Sequence, residues 1–138
     1  MPENSPAFID TNVWLYAFIE ADPQKTEKAQ AVIKVSQPVI STQVINEVCV
    51  NLIKKADFPE EKVARLIETF YAKAQVVETH RQTLLTASQL RGEYSLSFWD
   101  SLVIAAALAS GVKTLYSEDL QTGLVVHRIL QVINPFTS

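Results

Sequence analysis

The sequence is poor in the residues that mark several classes of protein. It contains one cysteine and three glycines among 138 residues, which excludes an intramolecular disulfide framework and a glycine-rich low-complexity array. The single cysteine, Cys49, stands in an apolar stretch that is typical of a buried, unreactive thiol. The longest unbroken apolar run, 102–109, is far shorter than the roughly 20 residues that cross a bilayer. We therefore expect no membrane association.

Basic residues are also in the minority, and the net charge is −3. Residues 1–6 lack a basic start followed by an apolar stretch, so we expect no signal peptide and a cytoplasmic location. The acidity argues at first against a nucleic-acid partner, because phosphate binding usually brings a basic excess. If four carboxylates form a metal site, however, the rest of the chain is slightly positive and a divalent ion offsets the site. The charge therefore does not exclude RNA.

Short apolar runs alternate with helical patterns along the whole chain. Asp22 and Pro23 are typical of a helix start, Ser41 and Thr42 can cap the next helix, and Gly111 is placed to end a later one. The pattern predicts strands at 7–9, 38–40, 75–77, 112–116 and 131–133, and the last long helix at 99–110. We expect a single α/β domain over residues 1–138, built as a three-layer α/β/α sandwich around a mainly parallel sheet.

Four acidic residues stand at unusual places in this pattern. Asp10 and Asp119 follow predicted strands, and the carboxyl ends of parallel strands are where ligands bind. Glu47 and Asp100 lie instead near the starts of apolar helices, where the helix dipole favours a carboxylate. Taken singly, each has an ordinary explanation as a turn, cap or solvated helix residue. Together they would repel one another, and a divalent cation with oxygen ligands is the usual compensation.

The histidines do not support a different metal. His80 and His127 are isolated, and with one cysteine there is no CxxC pair, so a zinc site is not expected. Four aromatic side chains near the acidic residues can stack on RNA bases, but the pattern favours packing in the core for all of them: Trp14, Tyr16, Phe98 and Trp99.

The ordered set of motifs resembles the PIN-domain family, and within it the VapC-type toxin ribonucleases. The similar stretches cover nearly the whole chain: Phe8-Ile9-Asp10-Thr11-Asn12-Val13, Ser41 to Glu47, Ser97 to Ala107, Leu115 to Gly123, and Asn134-Pro135-Phe136. The family's acidic positions correspond to Asp10, Glu47, Asp100 and Asp119. The resemblance implies strand order 3-2-1-4-5, with the ends of strands 1 and 4 side by side.

The resemblance also implies a function. It implies endonucleolytic cleavage of RNA with one or two Mg²⁺ or Mn²⁺ ions, leaving a 5′-phosphate and a 3′-hydroxyl. A homodimer and a cognate antitoxin protein are the implied partners. Four polar residues match positions that orient metal-bound waters in the family, although caps and turns explain them equally well: Asn12, Ser41, Gln43 and Ser117.

Other functional classes also place an acidic residue after the first strand. A haloacid-dehalogenase-type phosphatase needs a second Asp two residues after the first, where this chain has Asn12. A receiver domain needs an acidic pair after the first strand, where Asp10 stands alone. A stand-alone RNA-processing nuclease, or a module with the same fold that binds RNA or protein without cutting, remains an alternative to a toxin.

Overall fold

The computed structural model describes residues 4–137, in which strands and helices largely alternate. The strands are β1 (Pro6–Ile9), β2 (Gln37–Ser41), β3 (Gln75–Val77), β4 (Thr114–Tyr116), β5 (Val125–Val126) and β6 (Leu130–Ile133). The helices are α1 (Thr11–Phe18), α2 (Pro23–Val35), α3 (Thr42–Ala56), α4 (Glu60–Lys73), α5 (Arg81–Glu93) and α6 (Phe98–Ser110). The predicted α/β class is confirmed.

The strands form one sheet in the order β3-β2-β1-β4-β6-β5. Every neighbouring pair is parallel except β5 and β6, which are antiparallel. The fifth strand predicted from the sequence is β6, so the predicted order 3-2-1-4-5 is confirmed for the parallel part. The chain builds the sheet outward from β1 to β3 and then returns to place β4 on the other side of β1. The gap between the ends of β1 and β4 is thus a topological switch point.

Two details of the sheet differ from the prediction. Strand β5 was not predicted, because two residues are too few to show a pattern of alternation. The turn that follows it contains His127 and Arg128 in left-handed backbone, with φ of 52° and 59°. A type I′ hairpin turn needs that conformation, but its usual sequence signal is Asn or Gly. Strand β4 also begins later than predicted, at Thr114.

The helix boundary signals read from the sequence are confirmed. Asp22 caps α2 by accepting a backbone N–H at 3.2 Å, and Pro23 occupies the first turn. Ser41 caps α3 through a hydrogen bond of the same length. Gly111 ends α6 with a φ of 80°, a conformation that costs glycine little.

The centre of the sheet is buried on both faces. Ala7, Phe8 and Ile9 are each 0 % exposed, and successive strand residues point to opposite faces. Helices therefore cover the sheet on both sides, as the three-layer prediction requires. Cys49 is a buried free thiol, as predicted. Among residues 4–137, no helix has both the length and the apolar character that a bilayer crossing needs.

Candidate active site

The candidate site lies at the carboxyl ends of the two strands at the switch point. Asp10 directly follows β1, and Ser117 directly follows β4. Since these strands are parallel neighbours with Ile9 opposite Tyr116, the residues after them meet at one edge of the sheet. The Ser117 hydroxyl donates a hydrogen bond of 2.9 Å to Asp10 Oδ2.

Asp10 is a nearly buried carboxylate with 8 % exposure. It caps α1, because Oδ1 accepts the Thr11 backbone N–H at 2.8 Å. The pKa of Asp10 is raised to about 6, chiefly by burial and also by the negative charges of Glu47 and Asp119, whereas the hydrogen bonds from Thr11 and Ser117 lower it. The cap explains one carboxylate oxygen, but burial beside two other acids is costly without a cation.

Asp119 lies two residues beyond Ser117 and is more exposed. The side-chain amide of Asn12 donates a 2.8 Å hydrogen bond to Asp119 Oδ2 and so joins α1 to the loop after β4. The pKa of Asp119 is raised, first by partial desolvation and then by the charges of Glu118 and Asp100, while the bond from Asn12 lowers it.

Glu47 enters the site from the second turn of α3. The side-chain amide of Gln43, one turn earlier, donates a 2.9 Å hydrogen bond to Glu47 Oε1. This is the favourable i, i+4 spacing on a helix surface. Because α3 directly follows β2, which pairs in parallel with β1, the start of α3 lies at the same end of the sheet as Asp10. The Glu47 charge raises the pKa of Asp10.

Asp100 lies in the first turn of α6 but does not cap it. Ser97 is the cap, and its hydroxyl accepts the Asp100 backbone N–H at 3.1 Å. The alternative that Asp100 is an N-cap residue is therefore wrong. The Asp100 carboxylate is therefore not used in capping α6, and its charge contributes to the raised pKa of Asp119. The helix dipole favours an ionised group at this position.

The acidic residues affect one another's pKa in pairs, and they do not surround a single point. Asp10 is influenced by Glu47 and Asp119, and Asp119 is influenced by Asp100. Within residues 4–137, no three His, Cys, Asp or Glu side chains stand close enough together to hold a metal ion. Mg²⁺ prefers oxygen ligands and is usually held by one or two carboxylates, with waters and substrate phosphates completing its shell. The donor set therefore fits a water-rich Mg²⁺ site and does not fit a dehydrated, all-protein one.

Three of the four polar residues singled out in the sequence contact a carboxylate of this group. Asn12 binds Asp119, Ser117 binds Asp10, and Gln43 binds Glu47. Ser41 instead caps α3. These bonds fix carboxylate orientation, while the orientation of metal-bound waters stays a prediction.

A further polar cluster beside Asp119 has no signal in the sequence. Lys25 Nζ lies 2.5 Å from Glu118 Oε2, and the Tyr16 hydroxyl donates to Glu118 Oε1 at 3.0 Å. The lysine also lies over the Tyr16 ring, 4.8 Å from its centre. These contacts raise the pKa of Lys25. The cluster compensates a negative charge next to Asp119, and nothing in the sequence indicates a pairing across 93 positions.

The aromatic residues divide into two groups. Trp14 is buried, as predicted, and its indole N–H donates to the Ile9 carbonyl at 2.9 Å. Tyr16 is half-buried. The prediction of core packing is wrong for Phe98 and Trp99, which are 54 % and 63 % exposed. They occupy the first turn of α6, where only later residues face the core.

Two clefts open beside the carboxylates. One of ≈ 570 Å³ is lined by Thr42, Gln43, Asn46, Glu47, Thr79 and Trp99. A smaller one of ≈ 240 Å³ includes Asp100 and Asp119 together with Tyr94 and Leu96. Three of the four acidic residues thus line an open cleft.

Comparison with known proteins identifies the fold. A family model described as the PIN domain matches residues 7–122. A comparison with curated protein sequences finds no match.

Solved structures share this fold at low sequence identity. VapC20 of Mycobacterium tuberculosis, described as a sarcin–ricin loop cleaving toxin, has 20 % identity and a TM-score of 0.65 over 82 % of this chain and 89 % of that one. A toxin–antitoxin complex from Klebsiella pneumoniae gives 20 % and 0.67 over 94 % and 97 %. VapBC2 of Rickettsia felis, bound to a DNA fragment from its promoter, gives 18 % and 0.62 over 92 % and 96 %.

Proposed function

The chain belongs to the PIN-domain family, and on that premise we propose that it is a Mg²⁺- or Mn²⁺-dependent endoribonuclease, the toxin of a type II toxin–antitoxin pair. One observation carries the proposal. Asp10 is buried at the switch point with its pKa raised to about 6, next to the charges of Glu47 and Asp119. A carboxylate is costly to keep in such a place unless a cation uses it.

The residues divide the work of phosphodiester hydrolysis. We assign Asp10 and Asp100 as the residues that would hold the ion directly, while Glu47 and Asp119 would hold its waters or a second ion. When bound, the ion supplies an activated water, charge neutralisation on the phosphate and help for the leaving oxygen. Ser117, Asn12 and Gln43 keep three of these carboxylates in fixed orientations through hydrogen bonds of 2.8–2.9 Å. Either Glu47 or Asp119 accepts the proton of the attacking water.

The proposed partners are RNA, a second copy of the chain and an antitoxin protein. The similarity to chains solved as a toxin–antitoxin complex and as VapBC2 supports the antitoxin. The description of VapC20 as a sarcin–ricin loop cleaving toxin supports an RNA substrate.

The test is cleavage of single-stranded and structured RNA with Mg²⁺, with Mn²⁺ and with excess EDTA. We expect cutting only with a divalent ion, and we expect Asp10→Asn or Asp100→Asn to abolish it. Asp57→Asn is the matched control, because Asp57 is exposed at the far end of α3, in left-handed backbone that Asn tolerates. Full activity in EDTA would overturn the metal mechanism.

Two alternatives are separated by growth and binding measurements made beside the cleavage assay. A stand-alone processing nuclease cuts RNA in the same metal-dependent way but does not arrest growth when expressed alone. A non-cleaving module binds RNA or protein, and Asp10→Asn leaves that binding unchanged.

A further inference from the structure

Two large aromatic side chains stand exposed beside the acidic group. Phe98 and Trp99 immediately precede Asp100, and Trp99 is the most exposed of the large hydrophobic residues among residues 4–137, at 63 %. Neighbouring exposed aromatic side chains have an unfavourable free energy in water, and such apolar patches usually mark a binding surface for a ligand or a partner. Their place in the chain puts that surface next to the reacting phosphate of the proposed function, on which this inference rests.

The aromatic pair Phe98 and Trp99 is supported by contacts with Arg91 and Ser101. The two rings meet edge to face, with centres 5.3 Å apart and planes at 77°. The Arg91 guanidinium lies 4.4 Å from the centre of the Phe98 ring and donates a 2.7 Å hydrogen bond to the Ser101 hydroxyl. Ser101 in turn donates to the Phe98 carbonyl at 2.6 Å. This support means that binding a ligand on Trp99 requires less ordering of the side chains.

The cleft that Trp99 borders has the chemistry of a site for a neutral ring. Its other lining residues are Thr42, Gln43, Asn46, Glu47 and Thr79, with no lysine or arginine. Apart from the ion proposed at the carboxylates, no cation in this cleft attracts a phosphate, and Glu47 itself repels one. The amides and hydroxyls are donors and acceptors for the edge of a base, and ≈ 570 Å³ is within the usual range of about 300–1,000 Å³ for small-ligand sites.

We propose that Trp99, supported by Phe98 and Arg91, is a stacking platform for one unpaired nucleobase of the RNA substrate, and that the cleft between Trp99 and the start of α3 receives this base. Single-stranded nucleic acids are commonly held by such stacking, because every base has an aromatic face. The cleft adjoins the carboxylates, because Glu47 lines it and Asp100 follows Trp99 in the chain. The base that stacks is therefore next to the scissile phosphate, which selects for RNA with an unstacked nucleotide at the cut.

The test separates base contacts from phosphate contacts in an uncleaving background. Proteins carrying Asp10→Asn are titrated with a labelled oligoadenylate and with a base-free oligomer of abasic ribose phosphates of equal length. Trp99→Ala should weaken oligoadenylate binding by roughly 5- to 150-fold, the range for loss of one stacked base, and should leave binding of the base-free oligomer unchanged. Trp99→Phe should keep most of the affinity. Tyr71→Ala is the matched control, since Tyr71 is also exposed but lies near the end of α4, before the amino end of β3, whereas the site lies at the carboxyl ends of the strands.

Fluorescence gives a second readout. The chain has two tryptophans, and Trp14 is buried. Oligoadenylate should therefore quench the emission of Trp99 directly, and Trp99→Phe should remove the quenching while much of the binding persists. The base-free oligomer should not quench.

Each contrary result is distinct. If Trp99→Ala weakens both oligomers equally, or neither, the platform does not exist. If it changes the oligomeric mass in light scattering but not the affinity for oligoadenylate, the aromatic pair belongs to an interface between copies. Metal-dependent cleavage that needs Asp10 but not Trp99 would leave the proposed nuclease intact and remove the platform. Base-dependent quenching without any cleavage would instead support the platform and overturn the proposed nuclease.

Discussion

Ser117 donates its hydroxyl hydrogen to Asp10 across 107 positions of the sequence. The same oxygen accepts the backbone N–H of Leu120 at 3.2 Å. One side chain thus fixes both the buried carboxylate after β1 and the loop after β4 that carries Asp119. Ser117 is itself 0 % exposed, so water cannot replace either bond without opening the site.

Ser117→Ala should impair catalysis by removing this link. The bond from Ser117 lowers the pKa of Asp10, so its loss should move the acidic limb of the rate–pH profile to higher pH. Activity should fall roughly 10- to 100-fold, as for other residues that orient metal ligands. The matched control is Ser110→Ala, at the far end of α6, where the hydroxyl donates to the Ala107 carbonyl. An unshifted limb would show that Ser117 does not act through Asp10.

Asp10 should also make the metal-free protein less stable as the pH rises. Its pKa in the folded state is about 6, above its ordinary value of 3.8. A raised pKa means that the folded state binds the proton more tightly, so this contribution to stability is full below pH 4 and is lost as the pH rises through 6. The loss is about 3 kcal/mol, at 1.36 kcal/mol for each pH unit.

Asp10→Asn should remove most of that pH dependence. In EDTA the variant should melt higher than the parent at pH 8 and no higher at pH 4. Asp57→Asn should keep the pH dependence of the parent. Parallel melting curves for the parent and Asp10→Asn across this range would contradict the raised pKa.

The general plan of the site follows from local sequence signals. Asp10 stands directly after a run of buried apolar residues, and Asp119 shortly after another. Parallel strands bring such positions to one edge whatever the details of packing. The helix caps at Asp22 and Ser41 can also be predicted from the local sequence, because a capping hydrogen bond joins residues no more than three positions apart.

The features that sequence could not predict depend on distant contacts. The contact of Lys25 with Glu118 and that of Asn12 with Asp119 join residues separated by 93 and 107 positions. The exposure of Trp99 depends on where α6 begins to contact the sheet, and an aromatic residue in an apolar helix is otherwise best explained by the core. Strand β5 exists only because β6 offers it an edge.

Lys25→Gln should alter the pH profile with little effect on folding. Glu118 would then lose its counter-charge, and the charge of Glu118 already raises the pKa of Asp119. The acidic limb of the rate–pH profile should move upward, whereas the melting temperature should change little because the pair is near the surface. Lys34→Gln, in the last turn of the same helix, is the control for loss of one positive charge. A shift of equal size in both variants would mean that only net charge matters.

Thr11→Val should stabilise the metal-free protein. Among the buried side-chain polar atoms of residues 4–137, Thr11 Oγ1 is the one without a hydrogen-bond partner. A buried hydroxyl left in this state costs roughly 1–3 kcal/mol, and valine removes it while keeping the shape. The backbone N–H of Thr11, which Asp10 accepts, is unaffected. Thr11→Ser is the control that keeps the hydroxyl and loses the methyl group, so it should melt lower than the parent. If valine instead lowers the melting temperature in EDTA, the hydroxyl has a partner in solution, and a water held beside Asp10 is then part of the folded site.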